Sequence, residues 1–249
     1  MNFVEFLRIR TPLTIMIAIW YVFVNVVVFV VRGFHMAPRG GTWTLVDSIL
    51  MGGVIVLGWS TSFGASLWNE RDGHLDVAWT KPVSRTRYAL SIFATDIAAL
   101  AGIFVVAIAF TEFAARWGGV LAPGTIGAGD VALAVRLFLS AVAWFALMQA
   151  FSAASRSSSG IVLGPAWAVA MILMVAGSRS LGTPWHALFV ALNAVNPMAY
   201  CADIWFTTTR TFALPLQTQL APAIAYAALC AIIIIAGTCA IVRWKQVEA

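Results

Sequence analysis

LFLSAVAWFALMQAFSAAS, residues 137–155, carries no charged side chain. A helix needs about 20 mostly apolar residues to cross the hydrocarbon core of a bilayer, and this stretch is of that length. Working outward, the runs 11–31, 48–69, 157–178 and 211–242 are also free of charge, and 88–111 is interrupted only by Asp96. The whole chain follows suit. Of its 249 residues 61% are hydrophobic and 10% charged, against roughly 45–50% and about 25% in a soluble domain, and the mean hydropathy is +0.91. The composition is that of a membrane protein.

Backbone polar groups in lipid must be satisfied internally, which leaves helices or a closed barrel. Barrel strands would show short alternating segments in place of long continuous apolar ones. The expected fold is therefore all-α, a single transmembrane domain over 1–249 with six spans at about 12–31, 48–68, 88–111, 132–155, 157–178 and 216–242. The first apolar run exceeds a signal-peptide core and lacks a convincing cleavage site, so it is expected to stay as the first span.

The net charge of +5 would raise the question of nucleic acid in a soluble protein. Here basic loop residues suit anionic headgroups instead, and no nucleic-acid partner is expected. Cys201, Cys230 and Cys239 lack a CxxC spacing and read as packing residues.

Six spans put both termini on one side. With the termini in the cytoplasm, Arg8, Arg10, Arg71, Lys81, Arg85, Arg87, Arg156, Arg243 and Lys245 lie inside, nine of the fifteen Lys and Arg. The positive-inside rule thus favours a multi-pass inner or plasma membrane protein with cytoplasmic termini. Residues 1–10 set Phe3, Val4, Phe6 and Leu7 beside Glu5, Arg8 and Arg10, an amphipathic interface helix before Pro12. The Gly-rich loop at 112–130 reads as an ordinary external connection. Residues 185–195 are mostly apolar but too few to cross; Asn196-Pro197 and a second short piece follow. This predicts a re-entrant or interfacial helical hairpin at the outer face over 184–206.

Within the spans, Gly58, Ser62 and Ser66 recur every four residues, as do Gly160 and Gly164, with Pro165 adding a kink. Small residues at this spacing permit close helix approach, inside one subunit or between subunits. Asp96 is the one acid well inside a predicted span. An intramembrane carboxylate is costly, so it is expected to face protein or water and to have a partner. Asp96, Ser62, Ser66 and Gly164 are the candidate pathway or gating residues. Arg136, near the outer end of the fourth span, can snorkel to the interface.

No catalytic residues are expected. GWSTSFGAS, residues 58–66, offers serines, but His35, His74 and His186 fall in loops or at the interface, away from any such nucleophile. No HExxH metal spacing and no GxxxxGK[ST] phosphate loop is present. The chain is read as a non-enzyme with no metal or cofactor of its own.

Charge concentrates between the second and third spans, in the loop 69–87: Glu70, Arg71 and Asp72, then Leu75, Val77 and Trp79, then Pro82, Ser84 and Arg85. Acidic residues suit a helix start and proline its end, giving a short surface helix with wet charges and an apolar knob. A plain solvated loop needs no knob, whereas docking elements carry an aromatic among polar groups.

At these residues, ERDGHLDVAWTKPVSR, the chain resembles the permeases of ABC type-2 transporters. Their corresponding loop reads approximately E-x-x-x-G-x-L-x-x-x-x-x-x-P-x-S-R; Glu70, Gly73 or the adjacent His74, Leu75, Pro82, Ser84 and Arg85 fall on it. The amphipathic N-terminus, six spans and broken hairpin extend the likeness over nearly the whole chain, although the large extracellular domain common in the family has no counterpart here. The resemblance implies that the loop is a coupling helix resting on a separate cytoplasmic ABC ATPase subunit, present in two copies, which binds the ATP and magnesium. Glu70, Arg71 and Asp72 would make polar contacts and Leu75, Val77 and Trp79 apolar ones, with Gly73, Pro82 and Arg85 completing the coupling set. It also implies a second permease subunit, identical or homologous, each chain supplying half of an export pathway among membrane lipids. The competing reading is an ion- or proton-coupled secondary transporter or channel using Asp96.

Overall fold

A computed structural model describes residues 22, 43–69, 84–117, 126–155, 160–206 and 215–246. The first span, the interface helix at 1–10 and most of the coupling loop, including Glu70, Arg71, Asp72, Gly73, Leu75, Val77, Trp79 and Pro82, lie outside the described residues.

Among the described residues the protein is all-helical. The order is α1 (Leu45–Phe63), α2 (Ser66–Asn69), α3 (Arg85–Trp117), α4 (Ala128–Ser155), α5 (Gly160–Arg179), α6 (His186–Ala194), a 3-10 turn (Pro197–Cys201), α7 (Asp203–Phe206), a second 3-10 turn (Leu216–Gln219) and α8 (Pro222–Gln246). Four of these helices, α1, α3, α4 and α8, are long and apolar enough to cross a membrane, and residues Pro165–Arg179 of α5 form a shorter apolar helix.

Four boundaries depart from the sequence expectation, one of them the fourth span, whose helix starts at Ala128 and not at 132. The run expected as one span at 48–68 breaks at Gly64 and Ala65, between α1 and α2. The third span is longer than 88–111: α3 has 33 residues, about 50 Å at 1.5 Å per residue, more than the roughly 30 Å hydrocarbon core requires. The last helix begins at Pro222, not at 216, because Pro215 and Pro222 punctuate the chain and leave Leu216–Gln219 as a separate turn.

Local signals account for the helix starts. Thr44 and Asp47 form a capping box on α1, Thr44 N donating to the Asp47 carboxylate over 2.8 Å. Ser84 Oγ accepts from Arg87 N over 3.3 Å at the start of α3, which makes the serine of the ERDGHLDVAWTKPVSR motif a helix cap.

The central element is α4, which packs against α1, α3, α5, α8 and the Pro197–Cys201 turn. Residues 140–146 of α4 are buried without a break, as expected of a helix surrounded by protein. Phe145 meets Phe93 of α3 edge-on at 5.3 Å. At the opposite end of α3 from Trp117, Tyr88 stacks on Trp244 of α8. Since lipid is as apolar as a leucine side chain, close packing and interhelical hydrogen bonds hold such helices together. α1 achieves this with adjacent glycines: a Cβ on Gly52 would lie 2.9 Å from Ile108 of α3, and one on Gly53 would lie 2.9 Å from Leu137 of α4.

Candidate functional site

The break in the second span is where polar groups converge. Gly64 fits there because its Cα sits against α4; a Cβ would come within 2.2 Å of Met148 Cβ. Two α4 side chains, Gln149 and Ser152, serve the backbone that the break leaves unpaired. Gln149 Nε2 donates to Phe63 O over 2.8 Å and Gln149 Oε1 accepts from Leu67 N over 3.3 Å. Ser152 Oγ donates to Gly64 O over 3.1 Å. The same Gln149 amide also donates to Ser66 Oγ, and Ser66 Oγ donates to the Asp96 carboxylate of α3 over 2.5 Å. Asp96, Ser66, Gln149 and Ser152 are all buried, Asp96, Gln149 and Ser152 completely.

One turn earlier, Thr61 accepts the indole N–H of Trp144 and of Trp167, each over 2.7 Å, and donates to Leu57 O. Its hydroxyl thereby uses both lone pairs and its proton, tying α1, α4 and α5 together. The two indoles meet edge-on at 5.9 Å.

Residues 186–206 and 215–219 are held by a second polar framework. α6 runs back along α5: Asn193 Nδ2 donates to Leu173 O and Asn196 Nδ2 to Ala170 O, each over 3.0 Å. Ala170 lies nine residues before Arg179 (179 − 170 = 9), so the chain returns roughly 14 Å along α5 at 1.5 Å per residue. Gln217 then donates to Val190 O and Thr218 Oγ1 to Ala199 O. Arg136 of α4 donates to Thr218 O over 2.8 Å and forms an ion pair with Asp203. Its guanidinium is thereby held by protein and only partly exposed. Burial pushes the Asp203 carboxyl above the usual carboxylate range while Arg136 pulls it back. Burial, with Asp203 nearby, also raises the Cys201 thiol, a mark of a packed and unreactive cysteine. Cys230 and Cys239, in contrast, are exposed.

Of the residues singled out in the sequence, Asp96 and Ser66 are brought together, thirty positions apart. Ser62 is not with them: it is exposed, as is Gly58, because the break turns Ser66 away from the face those two share. Gly164 lies in α5 directly before Pro165, and Arg85 is half-buried at the first position of α3. Gln149, Ser152, Thr61, Asp203 and Arg136 in its pairing role went unrecognised in the sequence. A glutamine within the uncharged run 137–155 was the available signal for the first of these. Among the described residues no cluster of three or more His, Cys, Asp or Glu could hold a metal ion.

Comparison with protein-family models, with curated proteins and with solved structures returned no match to this chain.

Proposed function

We propose that this protein is the membrane-spanning permease subunit of an ATP-driven exporter, working with a separate cytoplasmic ABC ATPase and a second permease chain. The observation that carries the reading is the way the flanks of the charged loop are tied down. On one side, α2 is bonded to α3 through Ser66 and Asp96 and to α4 through Gln149; on the other, α3 begins at Arg85 behind its Ser84 cap. A push on the loop would pass into three helices together, since packed elements move as units. In this reading the termini are cytoplasmic, the 184–206 segment is a re-entrant hairpin at the outer face, and Glu70, Arg71, Asp72, Gly73, Leu75, Val77, Trp79, Pro82 and Arg85 face the ATPase.

Trp79→Asp or Leu75→Asp is expected to leave the protein in the membrane while abolishing co-purification of the ATPase and its stimulated activity. Wild-type recovery of both in either variant would reject the assignment.

A second reading, an ion- or proton-coupled transporter, is favoured by one feature: a wholly buried carboxylate beside interrupted helix backbone, an arrangement that binds coupling ions in some transporters. Asp96→Asn separates the two. It retains an acceptor for Ser66, so an ATP-driven subunit keeps transporting, whereas a carrier that cycles a proton or ion on Asp96 stops.

A further inference from the structure

We propose that the groove between α4, α5 and residues 192–197 is a binding site for one acyl chain of a membrane lipid. Trp144, Met148 and Phe151 of α4 form one wall, Pro165 and Val169 of α5 the other, and Asn196 lies at one end, around a volume of about 370 Å³. That is more than twice the roughly 150 Å³ of an engineered apolar cavity that stays dry and takes up benzene.

The polar atoms of the lining are committed elsewhere. The Trp144 indole donates to Thr61; the Asn196 amide donates to Ala170 O and Asn193, and its oxygen accepts from Met198 N. Water needs two to four polar partners to occupy a site, and these walls are almost wholly apolar. The occupant is therefore hydrocarbon. The groove is also held open: the Trp144–Trp167 contact with Thr61 and the Asn196–Ala170 bond fix α5 at its distance from α4. A preformed apolar site of this kind needs no rearrangement to fill.

The mouth indicates where that hydrocarbon comes from. Phe151, Val169 and Val195 on the rim are 51%, 55% and 62% exposed, and the apolar surface continues along α5 to Ile172 at 65%. α4 is of membrane-crossing length, so a rim of this character opens onto lipid chains. This assignment does not depend on an ATPase partner.

The test uses the full chain in phosphatidylcholine vesicles doped with a phosphatidylcholine bearing a diazirine on its acyl chain, with labelled residues mapped by mass spectrometry. Labelling at Phe151, Val169 and Val195 should exceed several-fold that at Ile234 and Ile235 of α8, which are more exposed, at 67% and 65%, and lie outside this groove. In the Ala166→Trp/Val169→Trp variant, groove labelling should fall to the α8 level while α8 labelling is unchanged. Equal labelling of groove and α8 in the wild-type protein, which needs no variant, overturns the proposal. So does a crosslink from the rim to a second copy, or to residues 11–31 of the same chain, in place of lipid.

Discussion

Gln149 shows what a single uncharged polar side chain can do inside an apolar helix bundle. Its amide pairs with Phe63 O, Leu67 N and Ser66 Oγ at once. Replacement by leucine keeps the approximate volume but removes all three of these buried bonds at once, a cost of about 1–3 kcal/mol. Gln149→Leu should therefore lower the melting temperature of the purified protein in detergent; an unchanged melting temperature would show that the break satisfies itself. Gly64→Ala should be destabilising for a different reason. Its Cβ would collide with Met148 Cβ, an atom fixed by backbone that no rotamer change can move away, and such overpacking costs about 1–3 kcal/mol. The motif serine at position 84 carries a related lesson, since its cap on α3 supplies a local reason for a serine there whatever the loop touches.

At the scale of elements, two interruptions organise the molecule, the α1–α2 break and the folded-back α6. Both are secured by side chains distant in sequence: Gln149 and Ser152 on the first, Asn193, Asn196, Gln217 and Arg136 on the segment around the second. The Arg136–Asp203 pair makes the second clamp sensitive to pH. Asp203 binds its proton more tightly when folded than when unfolded, so its contribution to stability is fullest in acid and falls as pH rises through its raised pKa. Melting temperatures measured between about pH 4 and pH 8, the range that brackets a raised carboxylate, should reveal the effect. The wild-type protein should lose stability with rising pH relative to Asp203→Asn, on top of a pH-independent difference from exchanging a carboxyl for an amide. Parallel pH curves would exclude Asp203 as the titrating group. None of this framework was legible in the chain order, because Arg136 and Asp203 are 67 residues apart and no short-range spacing links them.

For the whole molecule, Phe93 meets Phe145 and Phe104 stacks on Phe138, so α3 and α4 run in opposite directions and residues 84 and 126 lie at opposite ends of the pair. In the proposed topology the first end is cytoplasmic and the second is not. With Cys230 and Cys239 first replaced, Ser84→Cys should react with a membrane-impermeant maleimide only after cells are opened, and Ile126→Cys, at a 73% exposed site, in intact cells. The reverse pattern would place the charged loop outside and remove the basis for an ATPase partner.

The helical class and the approximate location of four helices long and apolar enough to cross a membrane, of the six expected, followed from the amino-acid sequence by itself, because a bilayer demands long uncharged runs and admits few backbone solutions. Which side of each helix faces protein was decided only by the tertiary structure. In water a buried face announces itself by contrast with a polar one, but here lipid and protein interior are equally apolar and the contrast vanishes. Gly58 and Ser62 look like partners of Ser66 along the sequence, yet they are exposed while Ser66 is bonded to Asp96. The turn at Gly64 that parts them exists because α4 supplies Gln149 and Ser152 to its open backbone, a pairing made across space.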